Sequence, residues 1–192
     1  MKRDPKRLDA HAVALEVSAF PRILRTAYAH LPKGLSSGPS RFSSPSRAFR
    51  VLYAAQDFST ALAEAVVRDR FVDRQRRYVG RSTLAGRSVT LISTTAPLKL
   101  LDARAAAAYT LGVDTNAVRA RAHDPGQAFS EWLHAETDFD GLLYDSRLTS
   151  RACIAVYERA LTKIDASPAQ PLLAHADLVP ELQRMNIIVR NP

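Results

Sequence analysis

Short apolar runs punctuate this chain, and their spacing changes from one segment to the next. Residues 50–55 (RVLYAA) are mostly apolar over a strand's length and predict a buried strand. Phe58, Leu62, Ala65 and Val66 then recur on one face, which predicts a helix over 60–71 with Asp57 or Ser59 as its cap. Arg87–Thr94 (RSVTLIST) is rich in β-branched residues and predicts a strand, followed by a shorter one at 98–101. Asp102 is placed to cap an alanine-rich helix that Gly112 would close, and a further helical piece is expected over 115–122. Pro125 suits the first turn of a helix ending near Thr137. Gly141–Asp145 (GLLYD) and Ala152–Tyr157 (ACIAVY) read as strands joined by a polar turn. A helix near Leu178–Arg184 and a strand over 187–189 close the pattern.

Strands and helices are mixed without strict alternation, and there is no internal repeat, so the expected class is α+β with one domain. Residues 31–47 (LPKGLSSGPSRFSSPSR) carry Pro, Gly and Ser but no period. A loop of that length inside a compact domain is either functional or disordered. The start carries Lys2, Arg3, Lys6 and Arg7. The expected division is a basic arm or first helix over 1–15 and a globular domain over 16–192.

Charge narrows the partners. Twenty-seven lysines and arginines against 19 acids leave a formal +8, which favours an anionic partner: nucleic acid, nucleotide or acidic protein. Residues 68–87 hold Arg68, Arg70, Arg74, Arg76, Arg77, Arg81 and Arg87 against Asp69 and Asp73, with Phe71 and Tyr78 as the only aromatics. So thin an aromatic content gives little support to stacking on single-stranded nucleic acid, whereas an acidic protein surface, or plain solvation, suits the run. No apolar run approaches the roughly 20 residues needed to span a bilayer. The start also lacks a signal-peptide core. A lone cysteine, Cys153, permits no internal disulfide and fits a reducing compartment, so a cytoplasmic protein is expected.

Common catalytic signatures are missing. His11, His30, His123, His134 and His175 show no zinc-site spacing, and no metal is expected. His123-Asp124 reads as a surface turn before Pro125. Gly80 and Gly86 lack the spacing of a phosphate-cradling loop, and no nucleophile elbow is present. Cys153 lies in an apolar strand pattern and reads as a buried side chain rather than a nucleophile. Glu64 stands four residues before Arg68, which fits a surface ion pair. It also follows the Tyr53 strand by one tight connection, so Tyr53 and Glu64 could share a cleft.

Two blocks carry a family resemblance. Arg41-Phe42, then Val51-Leu52-Tyr53-Ala54-Ala55, then Thr60-Ala61-Leu62-Ala63-Glu64, resemble the core signature of the RES family. Asp140-Gly141-Leu142-Leu143-Tyr144-Asp145-Ser146-Arg147, followed by Cys153-Ile154-Ala155-Val156-Tyr157-Glu158, resemble its second block. The likeness runs from about Arg22 to Ala160. It departs from the family's Gly-Arg-aromatic-Asn loop in having Ser40 and Ser43 at the outer places.

The resemblance implies a toxin of a RES–Xre toxin–antitoxin module. Its expected fold is a mixed, split β-sheet flanked by helices, similar to ADP-ribosyltransferases. Members cleave NAD by hydrolysis or phosphorolysis, or transfer its ADP-ribose to a protein; one branch modifies phosphoribosyl-pyrophosphate synthetase. NAD is then a substrate, and no cofactor is implied. Breaking the nicotinamide–ribose bond passes through an oxocarbenium-like state, as glycoside cleavage does. The family glutamate matches Glu64, which would stabilise that charge. Arg41 would grip the pyrophosphate as a planar fork, and Tyr53 would offer its ring to nicotinamide with its hydroxyl free to bond. Ser146 would hydrogen-bond the ribose or amide, and an N-terminal arginine, Arg22 in preference to Arg25, completes the set. The segment Asp145-Ser146-Arg147 favours the transferase by a small margin over an NAD glycohydrolase or phosphorylase. The expected partners are an Xre-type antitoxin, NAD and a host protein acceptor. A non-catalytic nucleic-acid or partner-binding module rests on the net charge alone.

Overall fold

The computed structural model describes residues 8–35, 38–104 and 123–191. Eleven strands occur among them: β1 (Ala12–Leu15), β2 (Phe20–Arg25), β3 (Val51–Ala55), β4 (Tyr78–Gly80), β5 (Arg87–Thr94), β6 (Leu98–Asp102), β7 (Gly141–Asp145), β8 (Ala152–Tyr157), β9 (Ile164–Ala166), β10 (Gln170–Pro171) and β11 (Ile188–Arg190). The α-helices are α1 (Phe58–Leu62), α2 (Arg81–Ala85), α3 (Asp124–Glu136) and α4 (Leu178–Arg184).

Five strands form one sheet in the order β1-β6-β7-β8-β3, and a second sheet runs β10-β5-β2 with β9 also paired to β5. A two-stranded parallel pair, β11-β4, stands apart. Only β6 and β7 pair in parallel within the five-stranded sheet; its other neighbours are antiparallel. This is the α+β architecture with a split, mixed sheet that the sequence leads one to expect.

The apolar runs follow from burial on both sheet faces. Alternate residues of β3, β7 and β8 point to opposite sides. Val51, Ala55, Leu142, Tyr144, Cys153, Ala155 and Tyr157 join Phe129 and Leu133 of α3 in one cluster. Leu52, Ala54, Leu143, Ile154 and Val156 join Ile92 and Ile164 of the second sheet in another. Leu62 and Val66 belong to a third cluster with Leu84, Leu172 and Leu182.

Several boundaries differ from the sequence reading. Ala12–Leu15, set aside with the arm or first helix of 1–15, is an edge strand paired to β6, because four apolar residues suffice to extend a sheet whose other strands supply the core. Phe20–Arg25 is a strand that the pattern did not reveal; its Pro21 is tolerated because β2 lies at the end of its sheet. The helix expected over 60–71 starts earlier, at Phe58, with Asp57 as the cap: its carboxylate accepts from Thr60 N at 2.7 Å. It also ends earlier. After Leu62 it widens into a π-helical turn, Ala63–Val67, closed by Arg68 N donating to Ala63 O at 2.7 Å. Arg68 then takes φ +45°, which stops it. Phe71 reaches the third cluster after that break, by a turn rather than by helical period. The strand expected over 187–189 lies one residue later. Asp102 ends β6, and the helices expected to follow it, up to Gly112 and over 115–122, lie outside the described residues.

Gly141 opens β7 at the tightest point of the sheet. A β-carbon there would meet Ala155 O at 2.0 Å, and this backbone oxygen cannot swing aside as a flexible side chain would. Gly141→Ala is therefore expected to cost on the order of 3–5 kcal/mol. Chemical denaturation should show a much lower midpoint, and an unchanged midpoint would contradict the close β7–β8 approach.

Candidate functional site

Sheet direction brings the two sequence blocks together. β3 and β7 both run antiparallel to β8, so they run parallel to each other and end at the same edge of the sheet. Ala55 lies opposite Cys153 and Asp145 opposite Ala152, so the chain leaves both strands at nearly the same level. After β3 it enters α1 and the π turn, which carries Glu64. After β7 it enters a tight turn at Ser146.

That turn aims the Ser146 hydroxyl. Its oxygen accepts from Leu148 N at 3.1 Å and Thr149 N at 3.3 Å, and its one proton goes to Glu64 Oε1 at 2.6 Å. Ser146 is buried and Glu64 half-buried. A buried hydroxyl whose lone pairs are taken has no competing use for its proton, so it fixes the carboxylate.

Arg41 is placed by its neighbours. The Phe42 side chain is fully buried, its ring edge-on to Tyr144 with centroids 5.0 Å apart. Phe42 N donates to the Tyr53 hydroxyl at 3.0 Å, and Ser40 Oγ lies 2.9 Å from the same oxygen. Ser43 Oγ accepts from Ser40 N and donates to Ser40 O, each at 2.9 Å, closing a small serine turn. Gln127 of α3 donates to Ser40 O at 2.9 Å, Ser130 donates to Phe42 O at 2.8 Å, and Ser44 donates to Glu131 at 2.6 Å. The described part of the loop is thus a packed segment bonded to α3. Ser40 and Ser43, the departures from the family pattern, are what tie it.

Arg41, Glu64, Arg68, Asp69, His123, Arg147 and Leu148 line one polar cleft. Arg147 and Asp69 form an ion pair at its wall. Of the expected site residues, Arg41 and Glu64 line the cleft, and Ser146 is bonded to Glu64. Tyr53 is not among the lining residues, and its hydroxyl is not free to bond, as the sequence suggested, because Ser40 and Phe42 engage it. Burial holds the phenol protonated, with its pKa pushed up to about 12. Arg22 does not line the cleft either. It lies at the seam between the sheets: its Nη2 donates to Gly34 O, its Nη1 reaches to within 3.5 Å of Tyr53 O, and burial lowers its pKa to about 10. Arg25 is exposed, three residues on, opposite Arg87.

This geometry can be set beside known proteins. The family model of the RES domain matches residues 16–180. The chain belongs to the RES domain family. It is 35% identical over 106 residues to the probable toxin y4kH of Sinorhizobium fredii (strain NBRC 101917 / NGR234), covering 54% of this chain and 83% of that one. It shares its fold with a chain of the crystal structure of the M. tuberculosis MbcT–MbcA toxin–antitoxin complex. The TM-score there is 0.62 at 15% identity, over 88% of this chain and 93% of that one.

In this RES domain the sequence reading missed five cleft residues: Arg68, Asp69, His123, Arg147 and Leu148. His123 was read as part of a surface turn, yet it lines the cleft at the N-terminus of α3. Burial first, then Arg68 and Arg41, hold its pKa below the ordinary histidine value. Arg68 and Asp69 gave no period because the π turn had already ended the helix. Cys153 is buried beneath the site, and burial pushes its thiol up to about 12, so it is no nucleophile near neutral pH. Among the described residues no group of three or more His, Cys, Asp or Glu is placed to hold a metal ion. No helix among them is long and apolar enough to cross a membrane.

The Tyr53 hydroxyl is the hub of the Arg41 loop. Tyr53→Phe leaves Phe42 N without its acceptor and should destabilise the fold by about 1–3 kcal/mol. Hydrogen exchange at Phe42 should speed up relative to β8, whereas unaltered protection there would show that the loop holds without Tyr53.

Proposed function

We propose that this chain is the toxin of a toxin–antitoxin pair and that it breaks the nicotinamide–ribose bond of NAD in the Arg41–Glu64 cleft, passing ADP-ribose to a host protein. The observation that carries this reading is a carboxylate fixed by a buried hydroxyl inside a wall of three arginines. An oxocarbenium-like ribose needs one fixed negative charge beside C1′. The pyrophosphate of NAD needs cations, and a guanidinium fork matches its oxygens. Nicotinamide leaves as a neutral molecule, so the chemistry calls for neither a strong acid nor a metal.

The residues divide the work accordingly. Glu64 stabilises the ribose cation, and Ser146 fixes its orientation. Arg41 binds the pyrophosphate, with Arg68 beside it. Tyr53 and Arg22, which the resemblance casts as direct NAD contacts, act in this reading by position: Tyr53 holds the Arg41 loop, and Arg22 ties the two sheets beneath it. Phosphoribosyl-pyrophosphate synthetase is the host acceptor that the resemblance favours; water or phosphate is the alternative acceptor. A cleft rich in arginine on a chain of net charge +8 suits an acidic antitoxin, of the Xre type by resemblance. A cytoplasmic location follows from an NAD substrate and a host protein target.

Nicotinamide release by the purified chain tests the reading. Glu64→Gln is expected to lower kcat by about 10²–10³-fold, Arg41→Lys to raise KM more than it lowers kcat, and a chelator of divalent ions to leave the rate unchanged. In cell extract, mass spectrometry should find a protein carrying one added ADP-ribose. NAD loss without any modified protein would assign the acceptor to water or phosphate, and no nicotinamide release from the unaltered chain would overturn the NAD reading.

A further inference from the structure

Capture of the ribose cation by a hydroxyl releases a proton, and the cleft offers few groups to take it. The guanidinium groups of Arg41, Arg68 and Arg147 offer donors and no acceptor. Leu148 has no basic atom. Asp69 is paired with Arg147, and Glu64 is bonded to Ser146 and facing the developing charge. Among the described residues, His123 is the remaining lining side chain with a nitrogen able to accept a proton.

Its backbone, like that of the Arg41 loop, is anchored to α3. The His123 carbonyl accepts from Gln127 N at 2.9 Å, which starts α3. The side chain of that same Gln127 holds Ser40 O and lies 3.2 Å from Ser43 Oγ. One helix turn therefore sets both the histidine and the arginine loop on the same wall. Among the described residues, the charges facing the imidazole are Arg41 from the loop, Arg68 and Asp69 after the π turn, and Asp124 from α3. Glu64 and Arg147 complete the cleft.

We propose that His123 is the general base of the transfer step, taking the proton of the acceptor hydroxyl as its oxygen bonds to C1′ of the ribose. The inference rests on the NAD-cleaving reading above. The C1′–N bond breaks and its electron pair leaves with nicotinamide, which becomes neutral. A lone pair of the acceptor oxygen forms the new C1′–O bond, and the hydroxyl proton passes to the neutral imidazole nitrogen. Imidazolium then returns that proton to solvent. The same step serves a protein hydroxyl or water.

Burial and the two arginines keep His123 neutral near pH 7, so the base form is the resting form. Activity should accordingly rise with pH through an apparent pKa below histidine's ordinary 6.5 and then level off. The test is the pH dependence of nicotinamide release for the unaltered chain, His123→Gln and His123→Ala. Both variants are expected to lose about 10²-fold in kcat, to keep KM for NAD within about twofold, and to lose the acid limb. Added imidazoles should restore part of the His123→Ala rate, the more basic ones more strongly, a dependence that a structural role for His123 would not produce. Nicotinamide release from the unaltered chain with the same kcat and acid limb in His123→Gln would overturn the role of His123 and leave NAD cleavage standing. No release from the unaltered chain at any pH would overturn both.

Discussion

The cleft depends on one constraint: β8 is the shared antiparallel partner of β3 and β7. Because both neighbours oppose it, both deliver their following segments to the same sheet edge, and in register, with Ala55 opposite Cys153 and Asp145 opposite Ala152. The Ser146–Glu64 hydrogen bond, which spans 82 positions of sequence, is the product of that register. A one-residue slip of either strand would turn its side chains to the other face. A slip of β3 would carry Val51, and a slip of β7 would carry Tyr144, out of the cluster they share with α3. The core on both faces therefore specifies the site's geometry, although few core residues touch the cleft.

A second constraint is the seam between the sheets. β3 lies at the end of the five-stranded sheet, so its outer edge has no strand partner there. Arg22 of β2 approaches the Tyr53 carbonyl on that edge and bonds Gly34 beyond it. The Tyr53 hydroxyl meanwhile reaches the Arg41 loop, whose other side is bonded to Gln127, Ser130 and Glu131 of α3. Arg41 is thus held between a strand and a helix. That matters for a residue proposed to hold an anion, because a long side chain on a mobile loop gives up conformational entropy on binding.

The legible parts of the molecule were those where one physical signal dominates. Runs such as GLLYD and ACIAVY read as strands because both sheet faces are buried and few polar positions interrupt them. Asp57 and Pro125 marked helix starts through chemistry local to the chain. Arg41, Glu64 and Ser146 were legible through family resemblance, since spacing alone left Glu64 open between a surface pair and a cleft. What stayed hidden depends on tertiary context. β1 and β2 are too short or too polar to stand out and become strands because a partner edge awaits them. The end of the helix after Leu62 carries no Gly or Pro. His123 looked like a turn residue because nothing in His-Asp-Pro tells which way the following helix will face.

The departures from local rules collect around the cleft. A π turn carries Glu64, and π turns are rare but, relative to their number, frequent at functional sites. Arg68, at the next bend, takes a positive φ that costs a side-chain-bearing residue about 1–3 kcal/mol. Three arginines share a wall with two carboxylates, one of them already tied to a serine and the other to Arg147. The π turn still gives Val66 to the third cluster, and the turn after it adds Phe71, so the core accommodates the break. A regular helix through 60–71 would have continued past Val67 with Arg68 four residues from Glu64, free to form the ordinary surface pair that the spacing suggests. The π turn and the break instead set both residues on the wall of one cleft, with the glutamate taking its hydrogen bond from Ser146 and the arginine standing near His123. Local stability is given up where the chain presents a fixed carboxylate among cations, the arrangement that the proposed cleavage of a ribose–pyridinium bond beside a pyrophosphate calls for.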